Sequence, residues 1–411
     1  MSTIMRNDVE EIPQNVLLMA EYAYNSVPLY MELRDELKEE GCDFHNLPIV
    51  GKDTYMQSKT PYLSTYYVRD CIDGKLEVGK TSGSTGKVST YYWHPNEDKM
   101  SLMELWLYRK KYYNILPTDN MVLFFPIVVE DELVNRTPHV LALSKEYLYN
   151  GKLEEAYEKI MDFQPKWMIL QPSVFWMLYQ LIQKKKLPII DSVEYIEFTG
   201  EYLEDSIRKL AGDFFGCKIA NQYGMREVNS MAYECPAGNM HVMQNNVYIE
   251  ILNARDGIGD ICITSLQNKA MPYIRYVTGD KGRLLNKKCS CGNCSPVLEV
   301  FRGRDNDWIC MLDGTKLHPY SLLQMINEVN YRTNYSILQY QLVQEKIDSF
   351  TFRLVITETA DQKEIEKLIC GLTAKHLQEN FQIRFQYFDQ IIPDIKTGKI
   401  AAFISKCREN E

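Results

Sequence analysis

Between Trp167 and Phe215 the spacing of apolar residues alternates between two kinds of pattern. Trp167-Met168-Ile169-Leu170-Gln171 is a short apolar run and predicts a buried strand. From Ser173 to Ile182 the apolar residues fall at helical spacing, which predicts a helix capped by Ser173. Tyr195-Ile196-Glu197-Phe198-Thr199 predicts another strand, and Leu203 to Phe215 another helix. Strands alternating with amphipathic helices predict α/β layers. Upstream, Val16 to Tyr24 has helix spacing that Pro28 interrupts, and Met121 to Val129 suits a buried strand. After Gly238 the texture changes to short strands with turns, as in Val247–Leu252 and Gly259–Thr264, predicting a smaller β subdomain. It changes again after Gly303-Arg304-Asp305-Asn306-Asp307. There the pattern predicts helix (about 319–332), strand (337–344), strand (349–357), helix (361–380) and strand (382–389), a small α+β module. Clustered turn-forming and charged residues put the linker at 304–307. The expected division is a large domain over 1–304 and a small one over 307–411.

Composition narrows the function classes. The 411 residues allow two or three domains. The net charge of −9, with both signs mixed along the chain, argues against a nucleic-acid partner, which needs a basic face. The polar, acidic start Met1 to Asp8 is not a signal peptide. No run approaches the roughly 18 apolar residues of a membrane span. A cytoplasmic location, with no membrane partner, is the expectation. Of the eleven cysteines, most sit singly in apolar segments, as reduced core thiols do; Cys289, Cys291 and Cys294 crowd together.

Lys80-Thr81-Ser82-Gly83-Ser84-Thr85-Gly86-Lys87 concentrates candidate chemistry. Its glycines allow backbone N–H groups to approach an anion, the hydroxyls of Ser82, Ser84 and Thr85 add donors, and the lysines add charge. It is not a P-loop: Thr81 stands where the first glycine belongs, and Val88 where a magnesium-binding hydroxyl belongs. Further motifs follow in order: Phe198-Thr199-Gly200-Glu201, Asn221-Gln222-Tyr223-Gly224-Met225-Arg226-Glu227, Tyr276-Val277-Thr278-Gly279-Asp280, Phe301-Arg302-Gly303-Arg304-Asp305 and Pro393-Asp394-Ile395-Lys396-Thr397-Gly398-Lys399-Ile400. In this order they resemble the core motifs of the adenylate-forming superfamily (acyl-CoA synthetases, adenylation domains, luciferases), over residues about 80 to 400. Asn25-Ser26-Val27-Pro28-Leu29-Tyr30 and Leu47 to Asp53 make it most similar to the phenylacetate-CoA ligase-like branch.

The resemblance implies a large layered α/β AMP-binding domain with a β subdomain and a mobile C-terminal domain. It implies that ATP activates a carboxylic acid, aryl or arylacetic, as its acyl-adenylate, and that the acyl group passes to coenzyme A. Loop residues Ser82, Gly83, Ser84, Thr85, Gly86 and Lys87 would hold the β- and γ-phosphates. Tyr223 would stack on adenine, with the backbone of Gly200 and Glu201 beside it and Gly224, Met225 and Arg226 completing the turn. Glu227 would hold Mg²⁺, a cation that prefers oxygen. Asp280 would accept from the ribose hydroxyls, Arg304 would add a ribose or phosphate contact, and Lys399 would reach the α-phosphate as charge develops. The hinge falls on Asn306, where the family has Asp or Lys; Arg226 stands where it has Thr or Ser. Phe125, Phe175, Trp176 and Tyr179 lie in the region that should wall the acid pocket.

Cys235 and His241, six positions apart, together with Cys289, Cys291 and Cys294, offer soft ligands from two loops, as a structural Zn²⁺ needs. The resemblance favours Cys235, His241, Cys289 and Cys291, clamping the β subdomain near the hinge; Cys294 is the alternate, since Cys-x-x-Cys is the commoner spacing. Three alternatives stay open: loading of a carrier-protein pantetheine or an amine, a nucleotide-binding module without catalysis, and a zinc-stabilised interaction protein. A homodimer is compatible with each.

Overall fold

The computed structural model describes residues 12–36, 44–80, 89–125, 133–149, 151–255, 257–304, 309–313, 315–317, 319–377, 381–393 and 400–407. A hairpin of β1 (Glu77–Lys80) and β2 (Thr90–Trp93) precedes the main sheet. The main sheet contains β3 (Met121–Phe125), β4 (Val134–Arg136), β5 (Val140–Ser144), β6 (Trp167–Leu170), β7 (Tyr195–Thr199), β8 (Lys218–Met225), β9 (Asn229–Glu234), β10 (Met240–Val242), β11 (Val247–Arg255), β12 (Ile258–Ser265), β13 (Tyr276–Leu285) and β14 (Val297–Arg304). Its order is β11-β12-β13-β14-β10-β9-β8-β7-β6-β3-β5-β4. β5, β3, β6, β7 and β8 are parallel neighbours, and the strands from β8 to β11 pair antiparallel. The expected β subdomain is thus the antiparallel half of one continuous sheet, although it has a separate apolar cluster with the N-terminal helices.

The parallel half follows from sequence in the expected way. β6 is apolar throughout, and β7 is so apart from Glu197 and Thr199, because helices cover both faces. The helix Pro172–Lys185 packs Val174, Phe175 and Leu178 into one core with Ile207 and Phe215 of the helix Asp205–Phe215. Pro28 begins a second N-terminal helix, Pro28–Glu36, after Gln14–Ser26, since proline is tolerated at a first turn. The cap of Pro172–Lys185 differs from expectation. The N-cap is Gln171, and Ser173 lies inside the first turn, where its N–H and hydroxyl donate to Glu201 at 3.0 and 2.8 Å. The capping carboxylate comes from the end of β7 rather than from the preceding residue.

After β15 (Ile309–Cys310) and β16 (Lys316–Leu317) comes a four-stranded sheet of β17 (Ile337–Lys346), β18 (Ser349–Ile356), β19 (Gln382–Tyr387) and β20 (Phe403–Ser405), ordered β19-β18-β17-β20. The helices Tyr320–Arg332 and Gln362–Leu377 fill one face with Leu322, Ile326, Ile365 and Ile369. Leu338 and Val355 of this sheet join the core of the parallel half, and Lys184 pairs with Asp389 at 3.1 Å. Among the described residues no helix is long and apolar enough to cross a membrane.

Candidate functional site

Open parallel sheets bind ligands at the carboxyl ends of their strands. Here those ends carry Gln171 after β6, Thr199-Gly200-Glu201 after β7, and Gln222 to Met225 on β8. Gly200 has φ +79°, a backbone that side chains with a Cβ rarely adopt. Gly224 lies beside a register shift, and a Cβ there would come within 2.3 Å of the Asn229 carbonyl oxygen. The β8–β9 turn therefore has to be tight. Trp93 Nε1 donates to the Arg226 carbonyl at 3.0 Å, tying this turn to the β1–β2 hairpin.

From the antiparallel half, β13 supplies Asp280 immediately after Gly279, whose φ is +82°. The Tyr223 hydroxyl donates to Asp280 Oδ2 at 2.8 Å, joining residues 57 positions apart. Asp280 also donates its N–H to Thr278 Oγ1 at 3.1 Å, and Thr278 Oγ1 donates to the Ile261 carbonyl at 3.1 Å. Arg304 stands opposite Asp280 in the β13–β14 register. Glu227 is buried within the turn, and its charge bears on Tyr91 and Tyr273. Tyr91 pairs with Gly79 on the hairpin that leads into the glycine-rich segment. The carboxylate is a hard oxygen donor and suits a magnesium ion there. Arg226 is exposed beside it. The strand ends thus gather Gly200, Glu201, Tyr223, Gly224, Met225, Arg226, Glu227 and Asp280. Ser82 to Lys87, Asn306, Lys399 and the Arg304 side chain lie outside the described residues.

Phe175, Trp176 and Tyr179 do not wall the strand-end crevice. Phe175 is fully buried against Phe198 and Phe215, and Tyr179 meets Phe214, so these rings fill the space between the helices Pro172–Lys185 and Asp205–Phe215 and strand β7.

A second constellation lies at the other end of the antiparallel strands. Cys235 follows β9, His241 is on β10, and Cys289 and Cys291 come from the β13–β14 loop; their ligand atoms all lie within 4.8 Å of one another. Cys235 and Cys289 sulfurs are 3.6 Å apart, and Cys291 Sγ is 3.3 Å from His241 Nε2. A tetrahedral zinc with Zn–S bonds of about 2.3 Å separates two sulfurs by about 3.8 Å, so the four atoms fit such an ion. His241 Nδ1 lies 3.0 Å from the Ser295 carbonyl, to which only a protonated Nδ1 can donate; Nε2 is then left for a metal. The N–H of Cys291 pulls the Cys289 thiol down to about 6, while burial pushes that of Cys235 up to about 11. Cys294 is exposed and outside the quartet. Seven residue steps lead from Val297, which pairs with His241, to Arg304 on β14, about 23 Å at strand rise. The cluster is therefore remote from Arg304 at the end of β14, whereas the expectation set it near the hinge; residues 305–307 lie outside the described residues. Clefts of about 410 and 570 Å³ border it; Lys111 and Cys291 help line the first, Arg208, Lys218, Asp205 and Glu234 the second, and neither touches Tyr223 or Asp280.

Sequence reading missed the central buried ion pair. Arg109 donates to Glu197 through Nε at 2.8 Å and Nη2 at 2.5 Å, with the Tyr195 and Tyr233 hydroxyls on the same carboxylate. A lone Glu within the apolar run of β7 was the available signal.

Residues 310–406 match the family model of the CapK C-terminal domain. The chain is 24% identical over 319 residues to a phenylacetate-coenzyme A ligase of Thermus thermophilus, spanning 72% of this chain and 70% of the relative. It is 22% identical over 335 residues to Protein CapK of Staphylococcus aureus, spanning 79% and 73%. A 2-hydroxyisobutyryl-CoA ligase in its postadenylation state, in complex with R3-HIB-AMP, superposes with a TM-score of 0.73 at 16% identity, over 96% of this chain and 88% of that one. The anthranilate CoA ligase AuaEII, in complex with anthranoyl-AMP, gives 0.54 at 12% identity over 79% and 65%. The fold implied by the motif order is borne out, and the relatives are phenylacetate-CoA ligases and CapK.

Proposed function

We propose that this chain is an AMP-forming acid–thiol ligase that converts a carboxylic acid to its acyl-adenylate and then to a coenzyme A thioester. One observation carries the reading: Tyr223 and Asp280 meet from distant strands beside the left-handed Gly200, at the carboxyl ends of a sheet with this fold. In the first step an acid oxygen bonds to the α-phosphorus and the bond to pyrophosphate breaks. In the second a thiol sulfur bonds to the acyl carbon and AMP leaves. Tyr223 offers a ring face to adenine while its hydroxyl holds Asp280 for the ribose hydroxyls. Glu227 would hold a magnesium ion, which neutralises phosphate charge. Ser82 to Lys87 grip the departing pyrophosphate, and Arg304 adds a cation near the ribose. Lys399, carried by a small domain that turns about Asn306, meets the charge developing at the α-phosphate. Cys235, His241, Cys289 and Cys291 hold a structural zinc; an ion with four protein ligands has no open position for chemistry.

The test is ATP–pyrophosphate exchange across aromatic and aliphatic acids with Lys399→Ala as control, followed by addition of coenzyme A and detection of thioester by mass. Acid-dependent exchange lost in the variant is expected. Absence of exchange with every acid leaves only a binding role. Exchange surviving in Lys399→Ala overturns that residue's assignment. An adenylate that forms but ignores coenzyme A points to a carrier protein or an amine.

A further inference from the structure

The strand-end crevice contains two glutamines in different states. Gln222 is committed: Thr199 Oγ1 donates to its Oε1 at 2.6 Å, and its Nε2 donates to Ser230 Oγ at 2.7 Å. Gln171 is not. Its Oε1 is buried and has no hydrogen-bond partner. Its amide lies against Gly200, with Nε2 3.1 Å from the point a Cβ on that glycine would occupy. A carbonyl oxygen shut off from water without a donor is costly, and such groups recur where a ligand completes them.

The position of Gln171 says which ligand. β7 stands between β6 and β8. Tyr223 and Asp280 lie on the β8 side of Gly200, where the nucleotide is placed above, and Gln171 on the β6 side. Phe175 and Tyr179, two of the aromatic side chains that might have made an aryl slot here, pack against Phe198, Phe215 and Phe214 instead.

Resting on the acid-activating reading above, we propose that the acid carries its own hydrogen-bond donor, a hydroxyl or amino group, and that Gln171 Oε1 accepts from it. Gln171 is then the specificity-determining residue, and the preferred substrate is a hydroxy or amino acid derivative rather than a plain arylacetic acid. A site built to bond a substrate donor rejects the analogue lacking it far more strongly than an apolar pocket rejects a missing methylene.

Matched pairs test this in the exchange assay: 4-hydroxyphenylacetate against phenylacetate, 3-hydroxybutanoate against butanoate, and 3-aminobenzoate against benzoate. In at least one pair the wild-type chain should favour the donor-bearing acid in kcat/KM by about tenfold or more. Gln171→Met, of similar length but without the acceptor, should bring that ratio to within about threefold of one, and Gln171→Glu should keep it. Equal use of both members of every pair by the wild type overturns the proposal without needing any variant. So does a ratio that Gln171→Met leaves unchanged. A variant that instead alters discrimination between ATP and purine riboside triphosphate, with the acid ratio intact, assigns the oxygen to the adenine amino group and also overturns it. Failure of the wild type to exchange with any acid is a different result and refutes the underlying ligase reading.

Discussion

Tyr223→Phe separates the two duties given to one side chain. The phenyl ring keeps the face proposed for adenine and its contacts with the antiparallel core, while the 2.8 Å bond to Asp280 Oδ2 is lost. A hydrogen bond to a charged group contributes about 1.5–3 kcal/mol. Both partners are only half-buried, so the lower end applies, about 1.5 kcal/mol or roughly tenfold in an equilibrium. If Asp280 holds the ribose hydroxyls, that loss falls on nucleotide binding. The KM for ATP in pyrophosphate exchange should rise about tenfold while the KM for the acid and the thermal midpoint stay close to wild type. Discrimination against 2′-deoxy-ATP should shrink by a similar factor, because a loosened carboxylate reads the hydroxyls less well. An ATP KM within twofold of wild type, or a fall in kcat with ATP binding intact, would refute the reasoning and detach Asp280 from the ribose.

Removing metal with a chelator, or replacing Cys289 by Ser, should lower the thermal midpoint and release about one zinc per chain by elemental analysis, while Cys294→Ser should do neither; no zinc and an unmoved midpoint would refute the site. Arg109→Met should cost about 3–5 kcal/mol in urea unfolding because it strands the Glu197 charge, and the double variant with Glu197→Met should regain much of it. A double variant as unstable as the single one would show that the pair's charge is not the issue. Burial holds the Glu104 carboxyl above its ordinary range against the opposing Tyr108 hydroxyl and Asn245 N–H. The folded chain then binds the proton more tightly than the unfolded one, so stability should fall as pH rises from about 4 through the folded value. Glu104→Gln should flatten that slope; urea midpoints between about pH 4 and pH 6 decide it.

The most legible elements had local causes. Tyr195–Thr199 is a short, mostly apolar run between turns, and Asp205–Phe215 runs into Gly216 at φ +61°, so both could be placed from neighbours in sequence. β20 was missed because three residues form a strand only through parallel pairing with β17, some sixty positions away. The helix cap was misassigned for a related reason: Ser173 has the right chemistry, but the group that completes the turn is Glu201, in the loop that follows β7. The aromatic wall failed because helical spacing reports that rings share a face, not what that face meets. Among the cysteines, spacing alone could not choose between Cys291 and Cys294. The fold chooses, by placing Cys291 against His241 and leaving Cys294 exposed. The order of the motifs disclosed the fold, while the unpaired Gln171 oxygen needed coordinates.

The distance between the metal-ligand quartet and Arg304 has a consequence for strand registration. β13 and β14 carry Asp280 opposite Arg304 at one end, beyond a register shift between Asp280 and Lys281, and meet the quartet's loop at the other. A one-residue slip of β14 would turn its side chains to the wrong face and carry Arg304 out of line with Asp280. A metal held by Cys235, His241, Cys289 and Cys291, as proposed, would forbid that slip from the far end, as a pin through one end of a ruler fixes the marks at the other.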